Sequence, residues 1–322
     1  MTEFARSIDS HFDALDDWPY EPHDHAWKDL RVRYVDEGAP DEPVMLLLHG
    51  MPTWAYLYRT MIPPLTHAGY RCIAPDHLGF GRSDKPTDPA WYTIARHTEV
   101  LTSLITALDL SDVTLVCQDW GGPIGLAQAA MMPERFTRLI VMNTWLHHRE
   151  YEYSDGIRGW IDMWRDGGVF DRERPDVACV PLFSGELAPM DSLLAAVEAG
   201  VAPQLEGAAA ANYAGWAAPF LELPDEAYNG LRWFPLSIPL NDVDSGNAVA
   251  QAASYRALLE WSKPVHFVWG GADPVFTEQW GRTWADRMGA SFDLVPDANH
   301  FLQNTHGPEV AEHILRRIAE ER

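Results

Sequence analysis

A carboxylate stands where a buried strand turns sharply into an apolar helix. Residues 113–117 form a strand-like run, Asp119 lies at the turn, and an apolar helix is predicted from Pro123. Cys117 and Gly121, two residues before and two after Asp119, are small, as a strained strand–turn–helix elbow requires. Such an elbow presents its central side chain as a nucleophile. An ionised carboxylate suits displacement at a saturated carbon, which leaves an alkyl ester on the enzyme.

Two further residues would complete a catalytic triad with Asp119. His300 follows the strand-like residues 291–295, and Asp273 follows residues 265–269. Nucleophile, acid and then histidine is the chain order of α/β-hydrolase triads. Each residue alone also fits a structural role, Asp119 as a helix N-cap, Asp273 as a turn former and His300 as a core histidine. Their joint arrival at predicted strand ends in this order favours catalysis.

Strand-like and helix-like segments alternate on both sides of a long central interruption. Strands are predicted at residues 44–48, 70–74, 113–117, 138–142, 265–269 and 291–295. Helices are predicted at residues 91–108, 123–132 and 277–288 and from Pro308 onward. This alternation predicts an α/β fold with a mostly parallel central sheet flanked by helices.

Residues 146–235 interrupt the alternation. They are rich in Ala, Trp, Tyr, Gly and Pro, and residues 190–199 are one candidate helix. We expect a helical cap domain here, inserted between sheet strands, with residues 1–145 and 236–322 forming the main domain. Such a cap would cover the carboxyl ends of the strands, where open α/β sheets bind ligands.

Composition limits the classes of function that the chain can have. The 322 residues are 47% hydrophobic and 22% charged, which is typical of a soluble globular protein. There is no signal-peptide pattern and no long apolar run, so we expect a cytoplasmic protein with no membrane partner. The formal net charge of −23 argues against nucleic acid as a partner. Three scattered cysteines exclude a disulfide framework, and we expect no metal site.

Several motifs carry a family resemblance. They are residues 49–59, residues 75–86 and the motif Gln-Asp-Trp-Gly-Gly at 118–122, and the similarity returns at residues 269–303. On these motifs the sequence resembles the haloalkane dehalogenases of the α/β-hydrolase superfamily. The resemblance implies hydrolysis of small apolar halogenated substrates by water to alcohol, halide ion and a proton, without a cofactor. The cap matches weakly, so substrate preference is not inherited.

The resemblance also implies roles for the triad residues. Asp119 is the expected nucleophile, His300 the base for the hydrolytic water, and Asp273 the acid that orients His300. In another branch of the family, a glutamate just after the strand ending near residue 142 serves as the acid. Asn143 and Thr144 occupy those positions here, so Asp273 is the better candidate.

Halide and oxyanion donors are implied as well. Trp120 is the expected first halide donor, because an indole N–H only donates. The second is expected on the first cap helix, where Trp160 is favoured and Trp164, four residues later on the same face, is the runner-up. Met51 stands where one branch has a halide-binding asparagine. Its side chain cannot donate, so its backbone N–H and that of Trp120 are the expected oxyanion hole.

Two other functions fit the same chain. An epoxide hydrolase would use Asp119 with two cap tyrosines that polarise the epoxide oxygen, and Gln118 and the paired tryptophans weigh against it. The candidate tyrosines are Tyr151, Tyr153, Tyr213, Tyr228 and Tyr255. A receptor that binds a small ligand without turnover is the third hypothesis, and the complete triad weighs against it.

Overall fold

A computed structural model describes residues 1–165, 207–242 and 244–321. Its strands are β1 Phe4–Ala5, β2 His23–Trp27, β3 Leu30–Glu37, β4 Val44–Leu48, β5 Arg71–Pro75, β6 Lys85–Pro86, β7 Val113–Gln118, β8 Phe136–Met142, β9 Val265–Gly270 and β10 Ser291–Val295. Its α-helices are α1 Ile62–His67, α2 Ile94–Ala107, α3 Gly121–Met131, α4 Asp155–Arg165, α5 Gly207–Ala217, α6 Asn229–Leu236, α7 Gly246–Leu259, α8 Glu278–Met288 and α9 Leu302–Glu320. Short 3₁₀ helices are Asp9–His11, Ala55–Tyr58, Pro89–Trp91, Pro133–Arg135, Ala218–Phe220 and Asp225–Tyr228.

Eight of the strands form one sheet. Their order is β10-β9-β8-β7-β4-β5-β3-β2, and β1 pairs separately with β6. The pairs from β10 to β5 are parallel, and β3 and β2 are antiparallel to their neighbours. The predicted mostly parallel sheet with flanking helices is therefore confirmed.

The central strands are buried on both faces of the sheet. Every residue of β4 and of β7 is buried, because helices cover both sides, as in other parallel sheets. Helix α3 packs on β7 and contacts α2 and α7, while α1 and α9 contact each other and α9 packs on β9. The carboxyl ends of β7, β8, β9 and β10 consequently meet at one edge, which positions the loops that follow them.

The N-terminal strands differ from the sequence prediction, which placed no strand before residue 44. Strand β3 mixes apolar with charged side chains, and Arg31, Arg33 and Asp36 of this strand are in ion pairs. Arg33 Nε donates to Asp24 Oδ1 on β2 at 3.0 Å, and its Nη1 donates to Asp9 Oδ1 at 2.8 Å. Strand β3, which lies next to the edge strand β2, therefore lacks the continuous apolar run that marks the central strands.

Two of the longer helices also differ from the prediction. The last helix begins at Leu302 rather than at Pro308, with a non-helical residue at His306 (φ −129°) just before the helix resumes. Proline has no N–H and favours the start of a helix, which is why the pattern pointed to residue 308. Helix α7 was not predicted, because its alanine-rich sequence has no apolar stripe of helical spacing.

The predicted cap is described only in part. Residues 146–165 and 207–235 contain α4, α5, α6 and short 3₁₀ helices and no strand. The helix predicted at residues 190–199 lies outside the described residues, as does Cys179. The division into a main domain and a cap at 146–235 stays a prediction. None of the described helices has the length and apolar character needed to cross a membrane.

Candidate active site

Asp119 occupies the turn between β7 and α3 in a left-handed backbone conformation, with φ of +50°. Its N–H donates to the carbonyl of Asn143 at 2.9 Å. The elbow is tight, because a Cβ at Gly121 would lie 2.3 Å from the carbonyl oxygen of Leu48, and one at Gly50 would lie 2.2 Å from Asp119 Oδ1. A small residue is therefore required at Gly121, as the sequence pattern indicated, and also at Gly50, which packs against Asp119.

The three residues expected to form a triad lie together. His300 Nδ1 is 2.9 Å from Asp273 Oδ2, and His300 Nε2 is 3.6 Å from Asp119 Oδ2. All three side chains are buried. They come from the loops after β7, β9 and β10, which meet because these parallel strands end at the same edge of the sheet. In this arrangement the Asp119 carboxylate can act as a nucleophile, and His300 is close enough to act as a base.

His300 lies between two carboxylates. Burial lowers the pKa of its imidazole, but the charges and hydrogen bonds of Asp273 and Asp119 raise it more, and the net result is a pKa of about 10. The imidazolium form is therefore stabilised as long as Asp119 is an anion. Any reaction that neutralises Asp119 removes part of this stabilisation.

A small cavity of about 30 Å³ lies against the Asp119 carboxylate. Its walls include Met51, Asp119, Trp120, Trp160, Ile238, Val275, Phe276, His300 and Phe301. The backbone N–H of Met51 donates to Asp119 Oδ1 at 2.8 Å. Apart from Asp119 and His300, the named walls are apolar or aromatic, so an uncharged apolar group fits here better than a charged one.

Two of the three tryptophans considered as halide donors line this cavity. Trp120 and Trp160 line it, and Trp164 is not among its named walls. Trp164 is fully buried, and its Nε1 has no acceptor among the described residues. The Trp120 ring is fixed by edge contacts with Trp145 at 4.7 Å and Phe234 at 5.2 Å between ring centroids.

The chain is similar in sequence and structure to proteins of known family. A model of the alpha/beta hydrolase fold matches residues 43–178. Haloalkane dehalogenase of Psychrobacter cryohalolentis is 37% identical over 98% of this chain and 98% of its own, and haloalkane dehalogenase 1 of Mycobacterium tuberculosis is 40% identical over 97% and 98%. The chain belongs to the haloalkane dehalogenase family. The solved structure of haloalkane dehalogenase DpaA from Paraglaciecola agarilytica matches with a TM-score of 0.81 at 31% identity, over 97% of each chain.

Two polar residues of this dehalogenase-family site were not predicted to take part in it. Gln118 Nε2 donates to the His300 carbonyl at 3.0 Å and lies 3.1 Å from His300 Nε2. Asn143 Nδ2 donates to Asp273 Oδ2 at 2.8 Å. The sequence positions of both residues could have indicated a role in the site. Gln118 directly precedes the elbow aspartate, and Asn143 stands where another branch of the family has its acid. The sequence analysis used both residues only to choose between hypotheses.

The tyrosines of the epoxide hydrolase hypothesis lie elsewhere. None of the five is a wall of the cavity at Asp119. The Tyr153 hydroxyl lies 2.7 Å from His147 Nδ1, and the Tyr255 hydroxyl accepts from Arg287 at 3.0 Å. Within the described residues, this member of the dehalogenase family has no tyrosine pair facing its carboxylate. Nor do those residues include a group of three or more His, Cys, Asp or Glu side chains that would hold a metal ion.

Proposed function

We propose that this protein hydrolyses the carbon–halogen bond of small haloalkanes, giving an alcohol, a halide ion and a proton. The observation that carries the proposal is the position of Asp119 at the wall of an apolar cavity. One of its carboxylate oxygens accepts from the Met51 N–H at 2.8 Å, and the other faces His300 Nε2 at 3.6 Å. This arrangement fits a nucleophile that becomes an ester and is then regenerated by water.

In the first step, Asp119 Oδ2 attacks the carbon that bears the halogen. A carbon–oxygen bond forms as the carbon–halogen bond breaks, and the bonding pair leaves with the halide. The indole N–H groups of Trp120 and Trp160 stabilise the charge that develops on the leaving halide. Preorganised donors of this kind each contribute roughly 10²–10³ in rate.

In the second step, water hydrolyses the ester. Alkylation removes the charge of Asp119, so one of the two carboxylates that raise the pKa of His300 is lost. The imidazole can then accept a proton from water as the oxygen attacks the ester carbonyl carbon. Met51 and Trp120 donate their backbone N–H groups to the oxyanion. As the intermediate collapses, the carbon–oxygen bond to the alkoxide breaks, His300 returns its proton to the alkoxide to give the alcohol, and Asp119 loses the remaining proton to solvent and is a carboxylate again. General base catalysis contributes roughly 10²–10⁴ in rate.

The proposed partners are small apolar haloalkanes, water and the halide product, and the proposed location is the cytoplasm. The net charge of −23 supports the absence of nucleic acid partners. Cys72 and Cys117 are buried and unpaired, which fits a reducing compartment. No cofactor is required, because displacement and hydrolysis need only a carboxylate, a base and water.

The proposal is tested by incubating the protein separately with 1-bromobutane and with 1,2-epoxybutane. We expect bromide and 1-butanol in equal amounts from the first and no diol from the second. Asp119→Ala is the control and should release no bromide. Diol formation without bromide release would support the epoxide hydrolase instead. Thermal stabilisation by either compound without any product would support the receptor hypothesis.

A further inference from the structure

A cavity outside the proposed active site has the opposite charge to the chain as a whole. It has a volume of about 650 Å³ and lies between α7, α8 and the loop after β8. Arg149, Arg256 and Arg287 line it, and Glu150 is the one carboxylate among the walls formed by the described residues. The whole chain has 24 lysines and arginines against 47 acids, so this is a local reversal of charge. The cavity shares no wall residue with the one at Asp119.

Two of the three arginines are uncompensated. Arg287 Nη2 pairs with Glu150 Oε2 at 3.2 Å. Arg149 and Arg256 are exposed and have no hydrogen-bond or ion-pair partner in the part of the chain that the structure describes. Many other arginines of this acidic chain are paired with carboxylates, as Arg71 is with Asp36 at 2.5 Å. The cavity therefore presents two guanidinium groups that are available to an anion.

One wall of the cavity is apolar, and its tyrosine is held by two contacts. Ala252, Tyr255 and Leu259 lie on one face of α7 and line it. The His148 ring stacks on Tyr255 at 3.7 Å between centroids, with 4° between the planes. Arg287 Nη1 donates to the Tyr255 hydroxyl at 3.0 Å, which fixes the edge of this stacked pair. An apolar surface beside unpaired cations suits a molecule that has a hydrocarbon part and an anionic end.

We propose that this cavity binds an organic carboxylate, with its anionic group on Arg149 and Arg256 and its apolar part on the Ala252–Tyr255–Leu259 face. Guanidinium groups bind carboxylates through paired N–H donors. A volume of about 650 Å³ is in the usual range for small-molecule sites. The proposal does not depend on the reaction at Asp119.

Isothermal titration of the full chain with hexanoate tests the proposal. Hexanol is the uncharged probe with the same chain length, and sodium bromide is the inorganic anion. We expect hexanoate to bind at least tenfold more tightly than either. The double variant Arg149→Gln/Arg256→Gln should weaken hexanoate binding at least tenfold. Arg282→Gln is the matched control, because Arg282 is an exposed arginine of α8 outside the cavity, paired with Glu278 at 2.6 Å.

Three results would overturn the proposal. The first is equal hexanoate binding by the wild type and the double variant. The second is an equal loss in the double variant and in Arg282→Gln, which would indicate a nonspecific charge effect. The third is competitive inhibition of bromide release by hexanoate that persists in the double variant, which would place the carboxylate at Asp119. Analytical ultracentrifugation adds a further check. If the wild type does not bind hexanoate and the double variant has a different oligomeric mass from the wild type, the arginines belong to a contact between copies of the chain and the proposal is wrong.

Discussion

Asn143 Nδ2 donates a hydrogen bond to Asp273 Oδ2 at 2.8 Å, and the same oxygen lies 2.9 Å from His300 Nδ1. The second oxygen of Asp273 accepts from the N–H of Val275 at 2.7 Å. Asn143 also joins two strands, because its Oδ1 accepts from the Gly270 N–H at 2.7 Å. The side chain at the end of β8 therefore fixes the carboxylate that orients the imidazole.

Replacing Asn143 with leucine should slow the hydrolytic step. A hydrogen bond to a charged group contributes about 1.5–3 kcal/mol, so we expect ester hydrolysis to fall about 10- to 100-fold. Alkylation of Asp119 should change little, because Asp273 acts only through His300. Rapid-quench kinetics with 1-bromobutane separates the two steps. Equal losses in both steps would show that Asn143 has only a structural role.

Gln118 should set the pH at which His300 becomes a base. Its Nε2 lies 3.1 Å from His300 Nε2, and an amide donor at that position favours the deprotonated nitrogen. We expect Gln118→Leu to raise the pKa of His300 in the alkylated enzyme by about 0.7, because a lost hydrogen bond contributes about 1 kcal/mol. Gln118→Glu should raise it further by adding a negative charge.

The measurement for Gln118 is the rate of ester hydrolysis in a single turnover from pH 5 to 10. The pH at half-maximal rate should increase from wild type to Gln118→Leu to Gln118→Glu. Identical profiles for the three proteins would contradict this role, whatever the loss in maximal rate.

The two tryptophans of the cavity should matter more than the third. Removing one donor to a developing anion typically costs about 10²–10³ in rate, so Trp120→Phe and Trp160→Phe should each lower kcat/KM for 1-bromobutane by about that factor. Trp164→Phe should lower it less than tenfold, because Trp164 is not among the named walls of the cavity. A larger loss in Trp164→Phe than in Trp160→Phe would reverse the assignment.

Much of the fold and of the candidate triad is predictable because its signals are local. The apolar run of β4 and the small residues around Asp119 follow from burial on both faces and from the tightness of the elbow. The meeting of Asp119, Asp273 and His300 follows from topology, since parallel strands bring the loops after them to one edge.

The contacts that tune the site are not local and were not predicted. Asn143 and Asp273 are 130 residues apart in sequence, and Gln118 and His300 are 182 apart. No periodicity connects such pairs, which depend on side-chain packing across strands. The choice between Trp160 and Trp164 has the same origin, because helical spacing places both on one face and packing decides which of them reaches the cavity.

A cluster of buried histidines should make the protein sensitive to acid. Burial lowers the pKa of His49, His77 and His97, that of His77 to about 4. Below about pH 6.5 the unfolded chain binds protons that the folded chain does not. The free energy of unfolding should therefore fall as the pH decreases from 6.5 toward 4, by up to about 1.4 kcal/mol per pH unit for each histidine.

His97→Phe tests this dependence. Both ring nitrogens of His97 are buried without a hydrogen-bond partner among the described residues, and its ring lies 4.7 Å from that of Phe234. We expect the variant to be more stable by about 1–2 kcal/mol at pH 7.5 and by more at pH 5. Urea unfolding at both pH values measures the difference, with the exposed His67 replaced by phenylalanine as control. A gain that does not grow at pH 5 would contradict the assignment.

The mass of the protein after reaction tests the covalent role of Asp119 most directly. His300→Phe removes the base while leaving the nucleophile, so incubation with 1-bromobutane should trap the ester. We predict that the intact mass rises by one butyl group in place of a proton, that peptide analysis locates it on Asp119, and that His300→Phe/Asp119→Ala gains nothing. An unmodified His300→Phe protein, under conditions where the wild type releases bromide, would contradict the account.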